Sequence, residues 1–169
     1  MMPRFFCNSP PVGNAISLFG EDAVHIGRSL RMRLGDVITV CHDKTDYSCK
    51  ILKISDEAIE LEVISQSPSP EPSVSVTLFM AVPKLDKLEL IVQKATELGA
   101  VEIVPVLTQR CVSRPEQKQF AKKRERLAKI ALEAAKQSGR GIVPTVSDII
   151  SLECCIEKMR AMDLGLVCY

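Results

Sequence analysis

Four side chains follow apolar runs that read as strands or close a helix. They are Lys84 in "PKLDK", Arg110 in "LTQRCVSR", and Gln137 and Arg140 in "EAAKQSGR". A lysine or arginine can stabilise charge that develops on oxygen, and a primary amide can orient a planar ring by hydrogen bonds. A second set lies nearer the start: Arg4, then His25, Arg28 and Arg31 at steps of three. Three-residue steps align side chains along a helix, and cations aligned this way suit a phosphate backbone. The run Lys118, Lys122, Lys123, Arg124, Arg126 and Lys129 is one more basic helix surface, a pattern that is usually a solvated face. The sequence shows no paired acid/base motif, no glycine-rich phosphate loop and no metal-ligand spacing. No metal is expected.

The elements that must position these residues divide at "SQSPSPEPS" (65–73). Three prolines in five residues argue against a sheet or a helix and for an extended spacer. Before it, "DVITVCH" (36–42), "YSCKILKI" (47–54) and "AIELEVIS" (58–65) read as strands. One helix, "GEDAVHIGRSLRMRLGD", interrupts them, with Ala23, Ile26, Leu30 and Leu34 on its inner side and Gly35 at its end. That pattern predicts a small β-barrel. After the spacer, strand and helix alternate. Strands are expected at 74–82, at 101–106 and in the closing "LGLVCY", and helices at 85–98, 119–138 and 151–162. Alternation of this kind predicts a parallel sheet covered by helices, with ligands bound beyond the carboxyl ends of its strands. The expected fold class is therefore α/β with an N-terminal β-barrel. The expected domains are 1–66, a linker at 67–73, and 74–169.

The bulk composition narrows the class without naming a partner. A chain of 169 residues, 46% hydrophobic and without tryptophan, can build an aliphatic core. A net charge of +1 selects no ligand, so any nucleic-acid surface must come from local clustering. Seven cysteines without a Cys-x-x-Cys pair are expected to be reduced thiols. The N-terminus has no apolar signal core, and no apolar run approaches the ~20 residues of a membrane span. A soluble cytoplasmic protein is expected.

Five motifs in order carry a resemblance. They are "PRFF", "H-x-x-x-x-LR-x-x-x-GD" (25–36), "K-x-DK-x-E-x-x-x-QKATELG" (84–99), "P-x-x-x-x-RC" (105–111), and "EAAKQSGR" followed by Pro144. Together they closely resemble the RsmE family, small-subunit (16S) rRNA uridine-N3 methyltransferases of the SPOUT superfamily. The resemblance implies a PUA-like barrel that helps bind rRNA, then a SPOUT-type α/β-knot methyltransferase domain that holds S-adenosylmethionine. It also implies a homodimer acting on the small ribosomal subunit. Loop position and resemblance make Arg110, Arg140 and Gln137 the expected catalytic set. Arg4, His25, Arg28, Arg31 and Lys84 are the expected RNA contacts, and Tyr169 is the expected start of the cofactor wall. The family's Gly-Pro-Glu-Gly-Gly loop and Leu-Arg-x-Glu-Thr segment do not occur in this sequence. The chain is therefore expected to be truncated before the knot and to bind the cofactor poorly. A non-catalytic rRNA-binding relative, or a fragment, is the alternative expectation.

Overall fold

The computed structural model describes residues 2–55, 57–84 and 87–168. It divides into two compact units: Met1–Glu71 with Lys136–Ile142, and Pro72–Ala135 with Val143–Tyr169.

The first unit is a curled five-stranded sheet. Its strands are β1 (Arg4–Phe6), β2 (Ala15–Phe19), β3 (Val37–His42), β4 (Thr45–Ile54) and β5 (Ala58–Pro68), in the order β1-β3-β4-β5-β2. The β1–β3 pair is parallel and the others are antiparallel. Alternate residues turn inward, as a half-buried strand requires. Phe5, Ile16, Leu18, Ile38, Val40, Cys49, Ile51, Ile59 and Leu61 make the core, with Ala23 and Ile26 closing one side. The β3–β4 hairpin turns on Asp43 and Lys44, both at positive φ (44° and 60°), the two-residue geometry that matches strand twist.

Two expectations for this unit are corrected. The long helix is in fact a single turn, α1 (Glu21–Val24), followed by a π turn over His25–Ser29. Gly27 and Ser29 are weak helix formers. The Leu30 N–H reaches back to the His25 carbonyl, and the Met32 N–H to that of Ile26. Arg31 then turns left-handed (φ 50°), so Leu30 and Leu34 are exposed instead of inward. Gly35 closes no helix; its N–H donates to Ile51 at 2.8 Å on the way into β3. The proline-rich stretch is likewise no free spacer from residue 67. β5 continues through Pro68, with Ser67 opposite Asp46 and Pro68 opposite Thr45. Proline is tolerated here because it sits at the strand's last position, where its missing N–H is not needed.

The second unit is a parallel sheet of β6 (Val76–Ala81), β7 (Ala100–Leu107), β8 (Thr145–Val146) and β9 (Ile150–Ser151), with β7 central. Its helices are α2 (Lys87–Glu97), α3 (Gln117–Ser138) and α4 (Leu152–Arg160). Leu88 and Val92 of α2 and Phe120, Leu127 and Ala131 of α3 fill the core with Ile103 and Val146. α3 supplies its last residues, from Lys136, to the first unit. One expected strand does not form: residues 164–168 have no regular structure, and Leu164, Leu166 and Val167 are exposed. A strand exists only through its ladder partners, and none of the described strands pairs with this stretch. Leu98 is 85% exposed, and buried Thr96 donates its hydroxyl to the Val92 carbonyl.

All seven cysteines are free thiols, and Cys41, Cys49, Cys111 and Cys155 are buried. Burial pushes the Cys49 thiol up to about 11, which leaves it inert.

Candidate functional site

The carboxyl ends of β6 and β7 lie side by side, and the Val82 N–H donates to the Val106 carbonyl to extend their pairing. Two loops leave there. The first carries exposed Lys84. The second, Thr108–Arg114, is held by its own residues. The Arg114 guanidinium donates to the carbonyls of Thr108 (2.8 Å) and Gln109 (3.0 Å). The Cys111 Sγ accepts the Thr108 N–H at 3.3 Å and lies 3.4 Å from its hydroxyl. Burial alone would raise that thiol. The hydrogen bonds from Thr108, aided by the Val82 amide and the Arg114 charge, outweigh burial and leave it below the ordinary range. With its neighbours tied down, Arg110 stands exposed at the tip. A cation held out on a braced turn, beyond the ends of parallel strands, is where an open α/β sheet meets a ligand.

The first unit collects the other candidates and corrects two of them. Arg4 does not face solvent. Its guanidinium forks onto Asp46 (2.7 and 2.5 Å), and its Nε donates to the Arg140 carbonyl at 2.9 Å. Ser69 donates its hydroxyl to the same Asp46 carboxylate. Arg140 is only 4% exposed. Its Nε donates to both Glu71 oxygens (2.9 and 3.0 Å), and a terminal nitrogen lies 2.8 Å from Glu71 Oε2. Glu71 Oε1 also accepts the N–H groups of Gly141 (2.6 Å) and Ile142 (3.0 Å). Arg4 and Arg140 are thus the two cations of one internal clamp, buried because each meets a carboxylate. In this fold neither presents its charge to a ligand.

His25 and Arg28 are exposed on the π turn, with Arg31 just beyond it. The His25 ring meets the edge of Phe5 at 6.2 Å. Gln137 is exposed on the last turn of α3, one residue past Lys136, which pairs with Asp22 at 2.9 Å. Gln137 and Arg140 belong to the first unit and Arg110 to the second. Tyr169 lies outside the described residues. No group of three or more metal-ligating side chains occurs among the described residues, and none of their helices is long and apolar enough to cross a membrane.

Sequence reasoning missed Glu71, Asp46, Ser69 and Gly141. Glu71 lies among prolines that read as a spacer, and Asp46 is 42 positions from Arg4. No local period links such partners.

The clamp predicts an acid limb. Burial alone would raise both carboxyls, but the Arg4 and Ser69 bonds hold Asp46 below the ordinary carboxylate range. Arg140 and the two loop amides do the same for Glu71. A depressed carboxyl contributes stability that is full above its unfolded value of ~4 and is lost as pH falls through the folded value. Melting temperature should therefore drop below about pH 4, and Asp46→Asn should flatten that drop. An acid limb of unchanged steepness in Asp46→Asn would remove Asp46 from the account.

A family model described as an RNA methyltransferase domain matches residues 69–169, and one described as an RNA methyltransferase PUA domain matches 19–64. The chain belongs to the RsmE family of RNA methyltransferases. Family relatives named ribosomal RNA small subunit methyltransferase E include that of Bacillus subtilis, 38% identical over 155 residues, covering 90% of this chain and 60% of the relative. The Aquifex aeolicus protein of that name is 30% identical over 168 residues, covering 91% of this chain and 72% of the relative. The chain thus spans 60% of the length of the first of these. Among solved structures, one described as a hypothetical protein superposes with a TM-score of 0.91 at 35% identity, covering 98% of this chain and 70% of its own. The small-subunit methyltransferase E of Neisseria gonorrhoeae, bound to S-adenosyl methionine, superposes at 0.82 with 28% identity, covering 94% and 66%. The expected order, a PUA-like unit and then a SPOUT-type methyltransferase unit, is that of the family.

Proposed function

We propose that a protein carrying this chain transfers a methyl group from S-adenosylmethionine to N3 of a uridine in 16S rRNA, working as a cytoplasmic homodimer. The observation that carries the reading is the methyltransferase match over 69–169, laid on a parallel sheet whose carboxyl end presents Arg110. When bound, the cofactor supplies an electrophilic methyl. A cavity of about 520 Å³ on the second unit is not suited to hold it. It lies along the amino-terminal half of β6 against residues 159–166, away from the strands' carboxyl ends, and it is lined mainly by Val74, Val76, Phe79, Met159, Met162 and Leu164.

The chain's own residues have definable tasks. Loss of the N3 proton spreads negative charge onto O2 and O4 of uracil. We assign Arg110 to that charge, because a guanidinium fixed in advance needs no reorganisation as charge develops. Gln137, in the first unit, is assigned to a hydrogen bond with the RNA through its amide. Lys84, His25, Arg28 and Arg31 are assigned to the phosphate backbone, which fixes register without reading sequence.

The test is transfer of labelled methyl from S-adenosylmethionine to small ribosomal subunits, mapped by reverse transcription. A methyl on N3 blocks Watson–Crick pairing, so the label should coincide with a stop at a uridine. Label at another base, or none in rRNA, would sink the reading. Arg110→Ala should lower kcat by about 10²-fold, the scale for one lost charge stabiliser, with KM little changed. A pure KM effect would make Arg110 a phosphate contact instead.

A further inference from the structure

The basic surface of α3 is left over once the site has been described. Its buried residues, Phe120, Leu127, Ala131 and Ala134, define the inward side. At about 100° per residue, Lys118, Lys122, Arg126 and Lys129 fall within roughly 80° of one another on the opposite side. All four are exposed. They extend over about 16 Å of helix, directly after the loop that carries Arg110 and Arg114. Two neighbouring cations are already engaged, Arg124 with Asp148 at 2.5 Å and, on the stripe itself, Arg126 with Glu89 at 2.8 Å. That leaves Lys118, Lys122 and Lys129 as the outward charges. Glu125 is the acid set among them on the same side.

We propose that this stripe is a docking surface for the RNA phosphate backbone, carrying substrate RNA away from the strand-end loops. The inference rests on the proposed RNA substrate and adds a surface to it. Three arguments favour RNA as the occupant. The chain's net charge is only +1, so a one-sided row of cations is a local feature and not a general excess. The row is made of lysines on a rigid helix, without aromatic side chains among them, which suits tracking a backbone rather than reading bases. And the row starts where the Arg110 loop ends, so it is continuous with the proposed catalytic mouth.

The test is fluorescence anisotropy with a labelled RNA stem-loop over a range of salt, using the full chain. Replacing Lys118, Lys122 and Lys129 together with alanine should make the slope of log affinity against log salt shallower by about 2 to 3. Affinity near 0.1 M salt should weaken roughly 10- to 100-fold. Exposed lysine-to-alanine changes on a helix leave folding intact, and a second variant guards the point: Glu125→Lys should tighten binding and steepen the slope by about 0.7 to 0.9. Damage to folding cannot produce that gain. Unchanged slopes in both variants, or no salt-dependent RNA binding by the unaltered chain, would overturn the inference. So would affinity for polyglutamate of matched charge equal to that for the RNA, which would show that the stripe takes any polyanion. The outcomes are independent of catalysis. Altered slopes, with no methyl transfer by a longer protein that carries this chain, would leave the stripe standing and remove the methylation reading.

Discussion

Gly141→Ala is expected to destabilise the first unit by about 3 kcal/mol, at the upper end for forcing a methyl into a filled space. A β-carbon at position 141 would overlap the Ser69 Cβ and Oγ, with the Lys44 Cα 3.4 Å away. The requirement for glycine is one of room, not of backbone conformation. The loop cannot retreat, because Glu71 holds the Gly141 and Ile142 N–H groups at 2.6 and 3.0 Å. Nor can Ser69 give way easily. Its N–H donates to the Lys44 carbonyl at 2.8 Å and its hydroxyl to Asp46. For a chain of this size, a loss of that scale lowers the melting temperature by roughly 6 to 12 °C. The mechanism has a specific check. Ser69→Gly removes the obstructing atoms, so Gly141→Ala should cost less in a Ser69→Gly background than alone. Additive losses would mean that the crowding is not the cause, and a Gly141→Ala protein as stable as its parent would sink the prediction outright.

The sequence shows some of this architecture and hides the rest for physical reasons. β3, β4 and β5 were legible because half-buried strands alternate, and Ile38, Val40, Ile51, Ile59 and Leu61 do alternate. α2 and α3 were legible because Leu88, Val92, Phe120, Leu127 and Ala131 recur at helical spacing. β8 and β9 were missed since two residues carry no period. The π turn was missed because its first residues share the helical pattern, and only the reach of Leu30 to His25 distinguishes it. The exposed stretch at 164–168 shows the converse limit: apolar, β-prone residues make a strand only where a partner strand supplies hydrogen bonds. At the site, the loop positions of Lys84 and Arg110 were readable from element order. The pairing of Arg4 with Asp46 and of Arg140 with Glu71 was not, because it joins residues 42 and 69 positions apart. Residue type and loop position alone made five arginines, Arg4, Arg28, Arg31, Arg110 and Arg140, candidates for a ligand. Burial separates them into two that hold the fold, Arg4 and Arg140, and three that are exposed.

That separation carries the second large effect, at Glu71. Glu71→Ala should cost about 3 to 5 kcal/mol, the range for removing one partner of a buried ion pair. The loss has two parts. The Arg140 guanidinium, 4% exposed, loses the carboxylate that pairs with it, and the Gly141 and Ile142 amides lose their acceptor. Glu71→Gln keeps an oxygen that one amide can use, so it should fall between the parent and alanine. It should also remove the Glu71 share of the acid limb, since a neutral amide does not titrate. Arg140→Ala should cost a similar amount, because it strands the Glu71 carboxylate in turn. Arg140→Lys should recover only part of it, because an ammonium cannot offer the planar fork that meets both carboxylate oxygens. In a double-mutant cycle, Glu71→Ala with Arg140→Ala should be less destabilised than the sum of the two singles, which is the signature of direct coupling. These outcomes decide what Arg140 does in methyl transfer. If it holds the 139–142 loop, its variants should lose melting temperature and activity together, and activity should return on cooling to where the unit refolds. If its guanidinium instead meets the uracil oxygens, Arg140→Ala should leave melting unchanged while kcat falls 10²-fold or more. An unchanged melting temperature in both Glu71→Ala and Arg140→Ala would remove the clamp and restore the arginine to the reaction.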